Sequence, residues 1–133
     1  ESIQFHGNTG PFIQYTHARI SAIVRKADQE GIDYHDFNIA ELSNCHDMIT
    51  SIIYLIHDFH RIIAEAAENY SPAVIAQFVY DLAKEYNRFY TEEPILKESD
   101  ENYMKFKIAF SKHIAKTIKK SMELLGIKVP DRM

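Results

Sequence analysis

The sequence predicts an all-α protein, a helical bundle of about four to five helices. Three observations carry that expectation. Apolar residues recur at three- and four-residue steps through four long stretches of the 133 residues. Only four glycines and four prolines interrupt the chain, and several of them stand where a helix would start or stop. An alternating run at the beginning, Ile3 and Phe5, is too short to form a sheet without strands from elsewhere.

Thr9, Gly10 and Pro11 open the first helix, with the proline in its first turn. Phe12, Ile13, Thr16, Ile20, Ile23, Val24 and Ala27 form its buried face, and Gly31 is a suitable stop. Residues 32–45 read as a polar connector with some helical turn, carrying Tyr34, Phe37, Ile39 and Leu42. From Asp47 to Asn69 neither glycine nor proline intervenes. Met48, Ile49, Ile52, Ile53, Leu55, Ile56, Phe59, Ile62, Ile63, Ala66 and Ala67 keep a helical period, so pattern alone predicts one long helix. Ser71-Pro72 starts a central helix, since the hydroxyl can cap a free N–H and proline is preset for the first position. Its core stripe is Ile75, Phe78, Val79, Leu82, Tyr86 and Phe89, and Glu92, Glu93 and Pro94 end it. Ser99 or Asp100 caps a last helix that runs to Leu125 and stops at Gly126. That helix is apolar along Met104, Ile108, Phe110, Ile114, Ala115, Ile118, Met122 and Leu125. Helices joined by short loops are expected to be antiparallel.

A chain of this length is one domain with room for a core. The single cysteine, Cys45, leaves no internal disulfide and suits a reducing compartment. No apolar run approaches the ~20 residues that span a bilayer, and no secretory segment opens the chain, so no membrane partner and a cytoplasmic location are expected. Residue 1 is Glu, which suggests a piece of a longer polypeptide. Net charge is −4, but unevenly spread. Residues 1–100 hold 7 Lys+Arg against 16 Asp+Glu, and residues 101–133 hold 8 against 3. A positive segment on an acidic body can meet phosphates, or simply dock on that body.

Two helix flanks carry possible chemistry. On the central helix Ala76, Tyr80, Ala83, Asn87 and Tyr90 form a second stripe beside the core. Another packing surface would look like this, and so would a face of rings and an amide that meets nucleic-acid bases. On the first helix Tyr15, Arg19, Ala22 and Lys26 stack at four-, three- and four-residue steps. Arginine pairs with phosphate or stacks on a base, and tyrosine stacks or donates a hydrogen bond. A solvated face with one exposed ring is the plainer alternative. Lys105, Lys112, Lys116 and Lys119 share a stripe of the last helix, and Lys26, Lys112, Lys116 and Lys119 are the candidates for phosphate contact. Seven histidines raise the question of a metal. His46 and His57 each precede an aspartate, yet eleven helical residues put them ~16 Å apart, too far to share one ion. His57 and His60 are closer but need carboxylates from elsewhere. Cys45 beside His46 is a poor nucleophile–base pair, because adjacent helical residues do not face one another. Neither a catalytic constellation nor a metal site is expected in these residues.

Three stretches carry a resemblance: GNTGPFIQYTHARI at 7–20, QFVYDLAKEYNRFY at 77–90 and MELLGIKVPDRM at 122–133. Together they resemble the C-terminal anticodon-binding domain of arginyl-tRNA synthetases, the all-helical type named after a DALR motif, over essentially the whole chain. The resemblance implies a class I ligase as the parent, joining arginine to its tRNA with ATP and Mg. Its catalytic domain would precede residue 1, residues 1–8 being that domain's end or a linker, and residues 9–133 the helical anticodon-binding domain. The partners implied are the anticodon stem-loop of tRNA(Arg) and the enzyme's own catalytic domain, in a monomer; this part alone would be non-catalytic and hold no cofactor. Tyr15, Tyr90 and the terminal Met133 are implied at the anticodon loop; Arg19, Asn87 and Tyr80 join them from the stripes. Many members have proline where His60 stands, which implies that the long second helix is really two, broken near Asp58. Glu92-Glu93 and Glu101-Asn102-Tyr103 depart from the family's usual residues at those places. Two other classes stay open, a helical protein-interaction module and a His-Asp metal-dependent phosphohydrolase.

Overall fold

The computed structural model describes residues 9–42, 47–69 and 71–133. Ile3, Phe5, Cys45 and His46 lie outside the described residues. Among those described the protein is all-helical: α1 (Thr9–Gln29), a short 3-10 turn (Ile39–Glu41), α2 (Asp47–His57), α3 (Phe59–Glu68), α4 (Pro72–Glu92) and α5 (Glu101–Leu124). None of these helices is long and apolar enough to cross a membrane.

Helix α4 is the centre, packing against α1, α2, α3 and α5. Its whole expected core stripe is buried, and Val79, Leu82, Ala83, Tyr86 and Phe89 have no exposed surface. Each such large apolar side chain is worth roughly 1.5–3 kcal/mol of burial, so this stripe anchors the domain. Proline begins α4 as expected, but the Ser71 hydroxyl makes no capping bond. Its backbone, at φ −114° and ψ 87°, lies outside the extended region of a capping residue. The Ser71 N–H instead donates to the Ala66 carbonyl at 2.9 Å, closing the turn from α3.

Pattern alone was mistaken about one long second helix. Asp58, at φ −81° and ψ −3°, keeps a right-handed helical backbone but turns at a flattened ψ that separates α2 from α3. Arg61 reaches back to its carboxylate at 3.3 Å and forward to Glu65 at 3.3 Å. Hydrophobic period does not register this break, because Ile52, Phe59 and Ala66 are buried at seven-residue steps, nearly two full turns each. The break near Asp58 is what the resemblance implied.

Side-chain pairs fix the directions of the other helices. Phe12 meets Tyr80, and Arg19 meets Asn87 and Tyr90, so α1 and α4 run the same way along their seam. Tyr86 donates to Ser111 at 2.9 Å and Phe89 meets Phe110 edge-on, so α4 and α5 are antiparallel. Of the two candidate caps for α5, Asp100 does the work, its carboxylate accepting from the N–H groups of Asn102 and Tyr103. Gly31 and Gly126 sit at φ 70° and 76°, the left-handed conformation that helix stops favour.

One buried group was not expected. Lys107 has no exposed surface, and its Nζ donates to Glu98 Oε1 at 2.7 Å and to the Pro94 carbonyl at 2.7 Å. Glu93 lies 3.3 Å away and the Tyr103 ring 4.0 Å below. A lysine stem inside an apolar face and a paired head at its edge leave no trace in periodicity. This cluster pins the segment between α4 and α5. The hydrogen bond from Lys107, then the Asp100 N–H, holds the Glu98 carboxyl below its usual value of 4.5. Because Glu98 ionises more readily folded than unfolded, its pairing contributes fully above pH 4.5 and is lost as pH falls through the lower folded value. Urea unfolding at stepped pH should therefore show stability declining below that point. Glu98→Gln should cost ~1–3 kcal/mol at neutral pH and reduce that acid-side decline. An unchanged acid profile in the variant would show that Glu98 is not the group responsible.

Candidate functional site

The α1–α4 seam brings the two flanking stripes into one cleft. Position 19 faces position 87, so the guanidinium of Arg19 lands between two rings: its central carbon lies 4.1 Å from the Tyr90 centroid and 4.9 Å from that of Tyr15. Arg19 also donates to Asn87 Oδ1 at 2.7 Å and to the Tyr15 hydroxyl at 3.1 Å. Asn87 is fully engaged from behind. Both hydrogens of its amide are taken, by Thr16 Oγ1 at 2.7 Å and by the Ala83 carbonyl at 2.8 Å. Thr16 in turn donates to the Phe12 carbonyl. The amide therefore serves as a bracket that orients Arg19. Ring contacts and hydrogen bonds together hold the half-buried cation in place, with Tyr15 47% and Tyr90 37% exposed.

The cleft encloses about 470 Å³, in the size range of small-ligand clefts. Tyr15, Arg19, Ala22 and Lys26 all line it, as do Tyr90, Leu96 from the pinned α4–α5 segment, and Asp131 to Met133. Arg19, Arg25, Lys26 and Arg132 face one carboxylate, Asp131, so cations dominate a wall built mainly from the acidic part of the chain. The plainer alternative for the Tyr15 stripe, a solvated face with one ring, does not describe this arrangement.

How the C-terminal segment is held was not legible in the sequence. From the sequence the tail after Gly126, with Pro130 and charged residues, is too little to be a buried element of its own, and none of its residues is buried. It is nonetheless fastened, by α1. Gln14 donates to the Lys128 carbonyl at 2.9 Å, the His17 ring bonds the Pro130 carbonyl at 3.0 Å, Ser21 meets Asp131 at 3.3 Å, and Arg25 donates to the Asp131 carbonyl at 3.2 Å. Met133 itself remains 69% exposed at the lip of the cleft. Gln14, His17, Ser21 and Arg25 recur at three- and four-residue steps, a stripe next to the Tyr15 one. That spacing was visible, but nothing in it named the tail as its partner.

Other candidates lie elsewhere. Tyr80 shares the α4 stripe but packs on Phe12, with ring centroids 6.1 Å apart, ten residues and ~15 Å of helix from Tyr90. Lys112 donates to the Tyr34 hydroxyl at 3.1 Å. Lys116 and Lys119 are exposed on α5, and none of the three lines the cleft. His57 and His60 are exposed on either side of the Asp58 break, and no three His, Cys, Asp or Glu side chains gather as a metal site among the described residues.

Comparison with known proteins points to one family. The model of the DALR anticodon binding domain matches residues 13–133. An arginine–tRNA ligase of Bacteroides fragilis is 50% identical over all of this chain, which spans 22% of that protein. One from Flavobacterium psychrophilum is 46% identical, over all of this chain and 21% of its own length. The chain thus spans about a fifth of the relatives it matches. Thermus thermophilus arginyl-tRNA synthetase superposes with a TM-score of 0.79 at 29% identity, over 98% of this chain and 22% of that one.

The bracket and the rings should separate in stability measurements. Asn87→Ala removes the Thr16 and Arg19 partners inside the seam and should cost ~1–3 kcal/mol. Tyr90→Ala acts at the rim and should cost less. Equal losses in thermal unfolding would mean that Tyr90 is a core residue like its neighbour Phe89.

Proposed function

The chain belongs to the DALR anticodon binding domain family, and on that basis we propose that it holds the anticodon stem-loop of tRNA(Arg) for an arginine–tRNA ligase. The observation that carries the proposal is the Arg19 guanidinium set between Tyr15 and Tyr90 in a cation-walled cleft. Single-stranded RNA loops are recognised through splayed bases that stack on rings or guanidinium planes and hydrogen-bond at their edges. Tyr15 and Tyr90 supply the rings, and Arg19 supplies a cation held beside both of them. Met133 closes the lip with a side chain that adapts to irregular gaps. Asn87 acts behind Arg19 and does not read a base, since both its N–H donors are already used. Lys26, Arg25 and Arg132 line the same cleft and are the candidates for contact with a backbone phosphate next to the base. Lys112, Lys116 and Lys119 contribute a more distant basic flank, with Lys112 tied to Tyr34.

On this reading the ligase reaction, with its ATP and Mg, belongs to a separate catalytic domain of a cytoplasmic, monomeric enzyme. Residues 1–8 then lead from that domain. The 133 residues contain no glycine-rich phosphate loop, so the chain alone should show only background arginine-dependent pyrophosphate exchange. Real exchange in a clean preparation would overturn this division of labour.

Affinity of the chain for an anticodon stem-loop, titrated at several salt concentrations, tests the interface. Tyr90→Ala should cost ~1–3 kcal/mol of binding. The slope of log affinity against log salt should stay modest, below about one unit for each phosphate contacted. Wild-type affinity in Tyr90→Ala, or binding indifferent to salt, would contradict the proposed interface.

A further inference from the structure

The segment that carries Met133 lies more than a hundred residues from α1, yet beyond Ile127, which bonds back to α5, its described hydrogen bonds all go to α1. Gln14, His17, Ser21 and Arg25 form a stripe one or two residues out of phase with Tyr15, Arg19, Ala22 and Lys26. One helix therefore offers two adjacent tracks, the first lining the cleft and the second holding the tail beside it. Two of the bonds go to main-chain carbonyls flanking Val129, those of Lys128 and Pro130. A carbonyl can only accept, so the His17 ring carries its proton on Nδ1 at this contact. His17 is 4% exposed, which makes it the one member of the track set inside the fold. Pro130 fixes its own φ, so a bond to its carbonyl sets the direction in which the last three residues leave.

We propose that His17 is a positioning residue of the RNA site: by holding the Pro130 carbonyl it lays the C-terminal segment along α1 and places Arg132 and Met133 as the outer wall of the cleft. The proposal rests on the anticodon-binding reading for what the wall contacts, but not for the clamp itself. The physical consequence is preorganisation. A tail already fastened loses little conformational freedom when RNA arrives, whereas a free tail must be ordered at that moment.

The test uses the 133-residue chain and two readouts. One is release of Met133 by a broad-specificity carboxypeptidase, which follows the fraction of time the tail is open. The other is affinity for an anticodon stem-loop of tRNA(Arg). His17→Leu should speed Met133 release about fivefold, the effect of one lost hydrogen bond. His17→Asn, whose side-chain amide can donate from near the place of ring Nδ1, should stay close to wild type. His17→Leu should weaken stem-loop binding at least as much as deletion of Met133, and the two changes combined should weaken it by less than the product of the separate losses. If His17→Leu fails to fold, Gln14→Leu with Ser21→Ala opens the same track from its partly exposed positions and is read in the same way. Unchanged Met133 release in these variants overturns the clamp. Losses that multiply in the combined variant overturn positioning through the tail. Faster release with wild-type RNA affinity throughout, Met133 deletion included, overturns the role of His17 at the site and marks the failure of the anticodon reading of Met133, with the clamp intact.

Discussion

The site depends on a single amide. Asn87 touches α1 in both senses, accepting from Arg19 and donating to Thr16, while its second hydrogen returns to its own helix at Ala83. Those three bonds set the register of two helices that run in the same direction. A one-turn slip would move Arg19 away from Tyr90 and dissolve the stack. The seam is polar in the middle of an otherwise apolar interface, and such groups are costly unless every partner is present. Here they are, and among the described residues no buried side-chain polar atom lacks a partner. Full satisfaction makes the seam a specifier of geometry as well as a contributor to stability.

Around that seam the remaining walls come from distant parts of the chain, each with its own fastening. Lys107 holds the segment that brings Leu96 to the cleft, through Glu98 and the Pro94 carbonyl. The α1 track holds the tail that brings Met133. Neither segment has regular secondary structure, so these bonds, with the packing of Ile95, Ile127 and Val129 on the core, fix its place beside the rings. The same cleft gathers cations on a part of the chain whose overall charge is acidic. Net charge would count against a nucleic-acid partner; local charge does not.

Most of the fold was legible in the sequence, for physical reasons that also explain the misses. Helical period finds any face buried along a straight axis, and it found the α4 core stripe except for Ala83, which it placed on the flank. It missed the break at Asp58 because seven-residue spacing survives a one-residue interruption. It missed Lys107 because a buried cation depends on carboxylates and a carbonyl brought by folding. At the cleft, the Tyr15 and Tyr90 stripes were visible as off-core faces, but their meeting required the α1–α4 register, which no single stripe contains. Tyr80 followed the same stripe as Tyr90 and was drawn away by Phe12. The importance of the terminus came from the resemblance; how it is held came only from the structure.

The central claim is that an anticodon base enters between Tyr15, Tyr90 and Met133 beside Arg19. Photocrosslinking tests it most directly, with stem-loops carrying one photoreactive base at each anticodon-loop position in turn and mass spectrometry of the adducts. At least one loop position should crosslink to Tyr15, Tyr90 or Met133, and the adduct should disappear when unmodified stem-loop is added in excess. Crosslinks confined to other surfaces, such as the Lys116 and Lys119 flank of α5 or the exposed side of α2, would contradict it.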